Sequence, residues 1–239
     1  MKVLVLTLII LFIGSGVIQT INGINTPRLL GEDTTKVVSM QTNFYKNNFN
    51  VNVTITFSED DFLFGYLMGY DTVNLRDCGH LGEIGKPMLP VKNLMVALPD
   101  SMKAINVGNI KVTKQQMDGT FTIFPVQPPQ SIGTSMDVTQ FVYPNMQIYN
   151  SNNPYPSQLI ELTGQTDLAG QAMVRVTICP MIYTPNKKEL TMINSISFVI
   201  EGVDGYKCGD YLPESISKNG RKTYEKMIKD MVINPEDVG

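Results

Sequence analysis

The strongest constraint on how this chain folds is a two-residue alternation. From Asn50 to Phe57, "NVNVTITF" sets Val51, Val53, Ile55 and Phe57 against Asn52, Thr54 and Thr56. Successive side chains of a strand point to opposite faces, so the segment has one apolar and one wet face, as a half-buried strand does. "AMVRVTI" from Ala172 repeats the pattern with Val174, Val176 and Ile178 opposite Arg175 and Thr177, and "SISFVIEG" from Ser195 adds Ile196, Phe198 and Ile200. Turn-forming residues such as Gly69, Asp77, Gly119, Gly164, Gly170 and Gly205 separate the runs. Many short strands at this spacing predict a mainly β fold, an antiparallel β-sandwich. The stretches "QPPQSIGTSMDVTQ" from Gln127 and "NSNNPYPSQ" from Asn150 read as long surface loops.

The period changes only near the C-terminal end. In "RKTYEKMIKDMVINPED", Tyr224, Met227, Ile228, Met231 and Val232 fall at helical spacing, with Lys222, Lys226 and Lys229 on the opposite side. This predicts a short C-terminal α-helix that packs its apolar stripe on the sandwich, or else serves as a connector toward a partner. Asn234-Pro235 is expected to end it, because proline disfavours helical geometry in the residue before it.

At the other end, Met1 and Lys2 precede an apolar run from Val3 to Ile13, then Gly14, Ser15, Gly16 and Asn22-Gly23. That is the layout of a secretory signal peptide, here placed at residues 1–23. A membrane-spanning helix needs about 20 mostly apolar residues, so the run is read as a removed signal, leaving an exported chain with no membrane association. The net charge of -3 and pI near 5.2 lack the basic excess that nucleic-acid binding requires, so nucleic acid is not the expected partner. Cys78, Cys179 and Cys208 are too few for a disulfide-dense scaffold, though one bridge with a spare thiol is open.

Three prolines punctuate "GKPMLPVKNLMVALP", from Gly85 to Pro99. Pro87 and Pro90 stiffen the approach to a strand, and Pro99 closes it because proline cannot donate to a ladder. Architecture alone explains that spelling. Chemistry is thinly represented. The single histidine, His80, lies two residues from Cys78, and a thiol–imidazole dyad from such near neighbours would need a sharply folded loop. A loop cysteine and a surface histidine are expected instead. Glu59-Asp60-Asp61 reads as a solvated rim rather than a calcium cage of six to eight oxygens. No catalytic residue, metal site or cofactor is assigned.

Four elements in order carry a family resemblance: "GEIGKPMLPVKNLMVALP" (82–99), "FTIFPVQPPQ" (121–130), Tyr143-Pro144, and "VTICPMIYTPNKKELTMINSISFVIE" (176–201). Together they resemble the propeptide domain of gingipain-type cysteine peptidases. The residues matching its motifs are Gly85, Pro87, Leu89, Pro90 and Pro99, then Pro180, Tyr183, Pro185 and Leu190. Read mechanically, Thr184-Pro185-Asn186-Lys187 is a turn between two strands, and Tyr183 beside it is a buried anchor. The stretch "YEKMIKDMVIN" resembles the helix leading toward the family's catalytic domain.

The resemblance implies a secreted, non-catalytic prodomain that keeps a gingipain-like cysteine peptidase latent and assists its folding. Its expected partner is the peptidase domain, met through an extended loop that corresponds here to Gln130–Gln140. The same resemblance implies a sandwich over 24–212 and a helix and linker over 213–239, with the peptidase domain expected beyond. No arginine or lysine occurs in "SIGTSMDVTQFV", so no inhibitory residue is named. The alternative is a secreted sandwich for adhesion or glycan binding, which rests on fold class alone.

Overall fold

In the computed structural model the described residues are 36–45, 48–129 and 141–238, with side chains described from 48 onward. The predicted signal peptide and the 130–140 loop lie outside them. The strands are β1 (Lys36–Tyr45), β2 (Asn48–Thr56), β3 (Phe62–Leu67), β4 (Tyr70–Leu75), β5 (Gly79–His80), β6 (Pro90–Ala97), β7 (Met102–Gln116), β8 (Ile160–Leu168), β9 (Gln171–Ile178), β10 (Met181–Thr184) and β11 (Glu189–Asp204). The helices are α1 (Met146–Tyr149) and α2 (Lys218–Met231).

Two antiparallel sheets face each other. In the larger, β11 is the spine: β7 runs along one edge of it over Thr191–Asp204, while β10 and β2 share the other edge in tandem, with β1 outside β2. Ile193 donates to Pro180 O at 2.9 Å and Phe57 to Asn194 O at 2.9 Å, so the ladder continues across the junction between β10 and β2. The smaller sheet has the order β5-β6-β9-β8. The expectation of uniformly short strands fails for β7 and β11, which span 15 and 16 residues. Bulges in their shared ladder let both bend around the core instead of breaking.

The alternation places the core as expected. Val51, Val53 and Ile55 from β2 and Ile196, Phe198 and Ile200 from β11 meet Leu94 and Val96 from β6 and Val174, Val176 and Ile178 from β9 in one buried cluster. Gly202 is required where β11 crosses Phe49: a Cβ there would lie 1.9 Å from the ring.

The C-terminal helix covers the other face of the smaller sheet. Ser217 caps it, accepting from Gly220 N at 3.1 Å, and Ile228 and Val232 pack with Val238 against Ala97 and Met173. The buried stripe is narrower than the helical spacing predicts, since Met227 and Met231 stay 40% and 45% exposed. Of the predicted stripe only Ile228 and Val232 are buried against the sheet. The helix ends at Met231, short of Asn234-Pro235, because Asn234 has another role. Fully buried, it accepts from Ala97 N through Oδ1 at 2.8 Å and donates through Nδ2 to Ala97 O at 2.9 Å. Ile233 adds a bond from its N–H to Met95 O at 2.9 Å. One amide side chain thus stands in for a neighbouring strand along the edge of β6.

The second predicted surface loop is not wholly at the surface. Tyr155 turns inward, and its backbone exchanges two 2.8 Å hydrogen bonds with Tyr183. Among the described residues no helix is long and apolar enough to cross a membrane.

Candidate functional site

The segment 121–127 straps the two sequence motifs together. Phe121 donates to Lys188 O at 2.8 Å and accepts from the Tyr183 hydroxyl at 2.9 Å, which ties the strap to the β10–β11 hairpin. Further along, Met88 donates to Phe124 O, Val126 to Lys86 O and Gly85 to Val126 O, each at 2.9 Å, which ties it to the Gly85–Pro90 element. Phe124 also donates to Asp71 O at 2.8 Å, and Tyr149 on α1 closes over the strap with a 2.7 Å bond from its hydroxyl to Ile123 O.

Each predicted motif residue has a mechanical place. Gly85 adopts φ +78°, a conformation that glycine reaches without strain, and its carbonyl receives Asn145 N at 2.8 Å. Pro87 bridges Pro125 across the strap, Leu89 is fully buried, and Pro90 opens β6 opposite His80. Tyr183 is a buried anchor whose ring meets Tyr149 edge-on at 6.3 Å. Pro185 is buried in the turn that Lys188 closes at φ 55°, and buried Leu190 pairs with Tyr183. Of these residues Gly85, Pro87 and Tyr183 touch the strap directly, while Pro99 and Pro180 lie elsewhere. Pro99 instead turns the chain from β6 into β7, accepting from Met102 N at 3.1 Å, and Pro180 carries the ladder between β10 and β2.

A residue without a sequence signal holds the strap's far end. Gln127 accepts from Val142 N at 2.9 Å and donates to Val142 O at 2.9 Å and Pro125 O at 3.0 Å. Its amide pins the outgoing chain at Gln127 to the returning chain at Val142, so the two arms flanking residues 130–140 have a fixed separation. Beside this clamp, Tyr70, Phe124, Phe141 and Tyr143 form a chain of ring contacts, with centroids 5.2 to 6.0 Å apart.

The chemistry-bearing candidates do not assemble. His80 is half-buried rather than on the surface, and its Nε2 bonds Asn74 Oδ1 at 2.8 Å; burial holds its pKa below the ordinary value. Asp61 is buried rather than a solvated rim, because its Oδ2 accepts from Ser58 N at 2.7 Å at the start of a 3₁₀ turn. Cys179 is buried, donates to Met181 O, and has its thiol pushed up to about 12 by that burial. The three cysteines form no disulfide among the described residues, and no group of three potential metal ligands occurs there. The carboxylate of Asp167 receives the Tyr206 hydroxyl at 2.8 Å, Gly209 N at 2.7 Å and Asp210 N at 2.6 Å. Those donors lower its pKa and fasten the chain after β11 to the turn between β8 and β9.

Known proteins agree with this picture. The fold resembles a chain in the complex of Porphyromonas gingivalis RgpB pro- and mature domains, with a TM-score of 0.57, 19% identity, and coverage of 84% of this chain and 96% of that one. It also resembles gingipain K from Porphyromonas gingivalis, solved for its zymogenic latency, with a TM-score of 0.51, 20% identity, and coverage of 71% and 94%. At these identities the two structures establish the fold alone. No curated protein matches the sequence. The Propeptide_C25 family model matches residues 68–238, which takes in the strap, both motifs, the Gln127 clamp and the C-terminal helix. The chain therefore belongs to the Propeptide_C25 family and is a prodomain, not a peptidase domain.

Proposed function

We propose that this domain keeps a gingipain-like cysteine peptidase latent and assists its folding, after export directed by a signal peptide at residues 1–23. Family membership carries the reading. A cysteine peptidase works through a thiol that a histidine deprotonates, and covering the cleft silences that pair without any chemistry from the covering domain. Contact is made by residues 130–140, and what supports this is the rigid frame on either side: Gln127 bonded to Val142, and Asn145 bonded to Gly85. A preorganised base lowers the ordering cost of binding. Residues 24–212 form the covering body, and 213–239 lead toward the peptidase domain.

Refolding tests the folding role. A denatured gingipain-like peptidase domain from the same locus is diluted with and without the purified prodomain, and the two are then separated by gel filtration. The expected result is a higher yield of soluble peptidase co-eluting with the prodomain. Equal yields and separate elution contradict the proposal.

A further inference from the structure

The β3–β4 hairpin carries more apolar surface outward than its position requires. Residues 62–70 read "FLFGYLMGY" without a charge. Phe62, Val73 and Leu75 root the hairpin in the core, but beyond Phe62 every residue of β3 is exposed. Tyr66 reaches 73% exposure and Met68 66%, and Leu63 and Leu67 are exposed as well. Side chains alternate along a strand and opposite residues of an antiparallel pair share a face, so Phe64 and Tyr66 lie on the side that carries buried Phe62 and Val73, where Phe64 meets the Phe121 ring at 6.4 Å, and Leu63 and Leu67 lie on the other.

Backbone geometry adds a second observation. Among the described residues β3 pairs with β4 alone. The turn has two residues, Met68 and Gly69, both at positive φ (50° and 89°), so Leu67 and Tyr70 form the closing hydrogen-bonded pair. It follows that the N–H and C=O of Phe64 and Tyr66 point away from β4. The neighbouring strand bears this out, since Asp71, opposite Tyr66, turns its own N–H and C=O outward to Thr122 and Phe124 at 2.8 Å. The β4 edge is thus occupied, and among the described residues the β3 edge has no pairing strand. Natural edge strands are blunted by charges, prolines or bulges, and β3 has none of these. Met68 is also poorly suited to its own turn, where asparagine, aspartate or glycine reaches positive φ with less strain.

From this edge and the exposed apolar side chains of Leu63, Tyr66 and Leu67 beside it we infer that β3 is a docking strand for the peptidase domain, which adds a strand of its own along Phe64 and Tyr66. This rests on the latency reading above. An unpaired row of alternating N–H and C=O is matched only by another polypeptide in extended form, which makes the occupant a protein strand. Position selects the peptidase over a second copy of this chain. Tyr70, at the hairpin's end, meets Phe141 at 6.0 Å and Phe141 meets Tyr143 at 5.2 Å, so an aromatic ridge runs from the hairpin to the frame that flanks residues 130–140. A partner seated on that frame is carried along the ridge onto the hairpin.

The test compares three purified proteins: the wild-type domain, a Tyr66→Asp/Met68→Asp variant, and a Met68→Asn variant. Each is titrated against the gingipain-like peptidase domain while peptide hydrolysis is followed. Amide exchange at Phe64 and Tyr66 is read with and without the peptidase. Expected are at least a tenfold higher inhibition constant for the double variant at unchanged melting temperature, and slowed exchange at both amides of the wild type in the complex. Met68→Asn is expected to raise the melting temperature while weakening inhibition, opposite signs that a purely structural role for Met68 does not produce. Wild-type inhibition that both variants match within twofold overturns the docking strand and leaves latency standing. A concentration-dependent dimer that the double variant abolishes, with inhibition untouched, assigns the edge to self-pairing and overturns it too. A wild-type domain that neither binds nor inhibits removes both readings.

Discussion

Strands β3 and β6 are built from similar material and end in opposite environments. β6, "PVKNLMVA", has its inner face buried in the sandwich core and the end of its outer face, at Met95 and Ala97, packed against α2. β3, "FLFGYL", contains no charged residue and yet is exposed beyond its first position. Apolar content does not decide burial; the presence of covering elements does. For β6 the chain supplies its own cover, including an asparagine amide for the open edge. For β3 beyond Phe62 the described residues leave Leu63, Tyr66 and Leu67 exposed, with the Phe121 ring against Phe64, which is the condition of a surface that meets a partner.

The largest effect that sharpens this contrast is expected at the centre of β6. Val96→Asp places an unpaired charge at a fully buried position, which costs several kcal/mol, a large fraction of the roughly 5–15 kcal/mol that holds a domain together. Thermal melting followed by circular dichroism should show an unfolded or steeply destabilised protein. A melting temperature near wild type would mean that β6 is not the inner strand described here.

Next in size is the amide that closes β6. Asn234→Ala leaves Ala97 N and O buried without their partner, at a cost of about 2 kcal/mol. Limited proteolysis should then cut the variant within 232–238 well before the wild type. Equal cutting would show that the amide does not hold the segment.

How much of this was legible in the sequence follows from where each residue finds its partner. Strands β2, β9 and β11 were readable because alternation within one segment reports which face is inward. Tyr183 and Pro185 were readable because turn chemistry is local. Asn234 and Gln127 were not, since each amide is matched to one backbone residue, at Ala97 and Val142, that sequence distance conceals. Asp61 was misread as solvated for the same reason, because burial converts an acid in an acidic run into a backbone acceptor. The narrow stripe of α2 depends on which sheet residues, Ala97 and Met173, lie beneath it, and they come from two strands distant in sequence.

A smaller effect is expected from acid. Burial lowers the pKa of His80 in the folded state below its ordinary 6.5, so the unfolded chain takes up the proton first. The contribution is complete above about pH 6.5 and declines as pH falls toward the lowered folded value. Denaturant midpoints from pH 7.5 to 5.5 should therefore fall less for His80→Gln than for the wild type. Identical slopes would remove His80 as the source. Smallest of all is Tyr66→Asp on β3, which should stay within about 0.5 kcal/mol of wild-type stability. A loss comparable to that of Val96→Asp would show that β3 is covered after all and would collapse the comparison between the two strands.

Silencing of a gingipain-like peptidase is the role proposed for this domain. Its most direct measurement is hydrolysis of a peptide substrate by the gingipain-like peptidase domain while the intact prodomain is added from nanomolar to micromolar concentration. The prediction is saturable loss of activity that is complete at micromolar domain, as a contact of about 1,600 Å² or more would sustain. Undiminished hydrolysis across the whole range, by a peptidase shown to be folded, would contradict it.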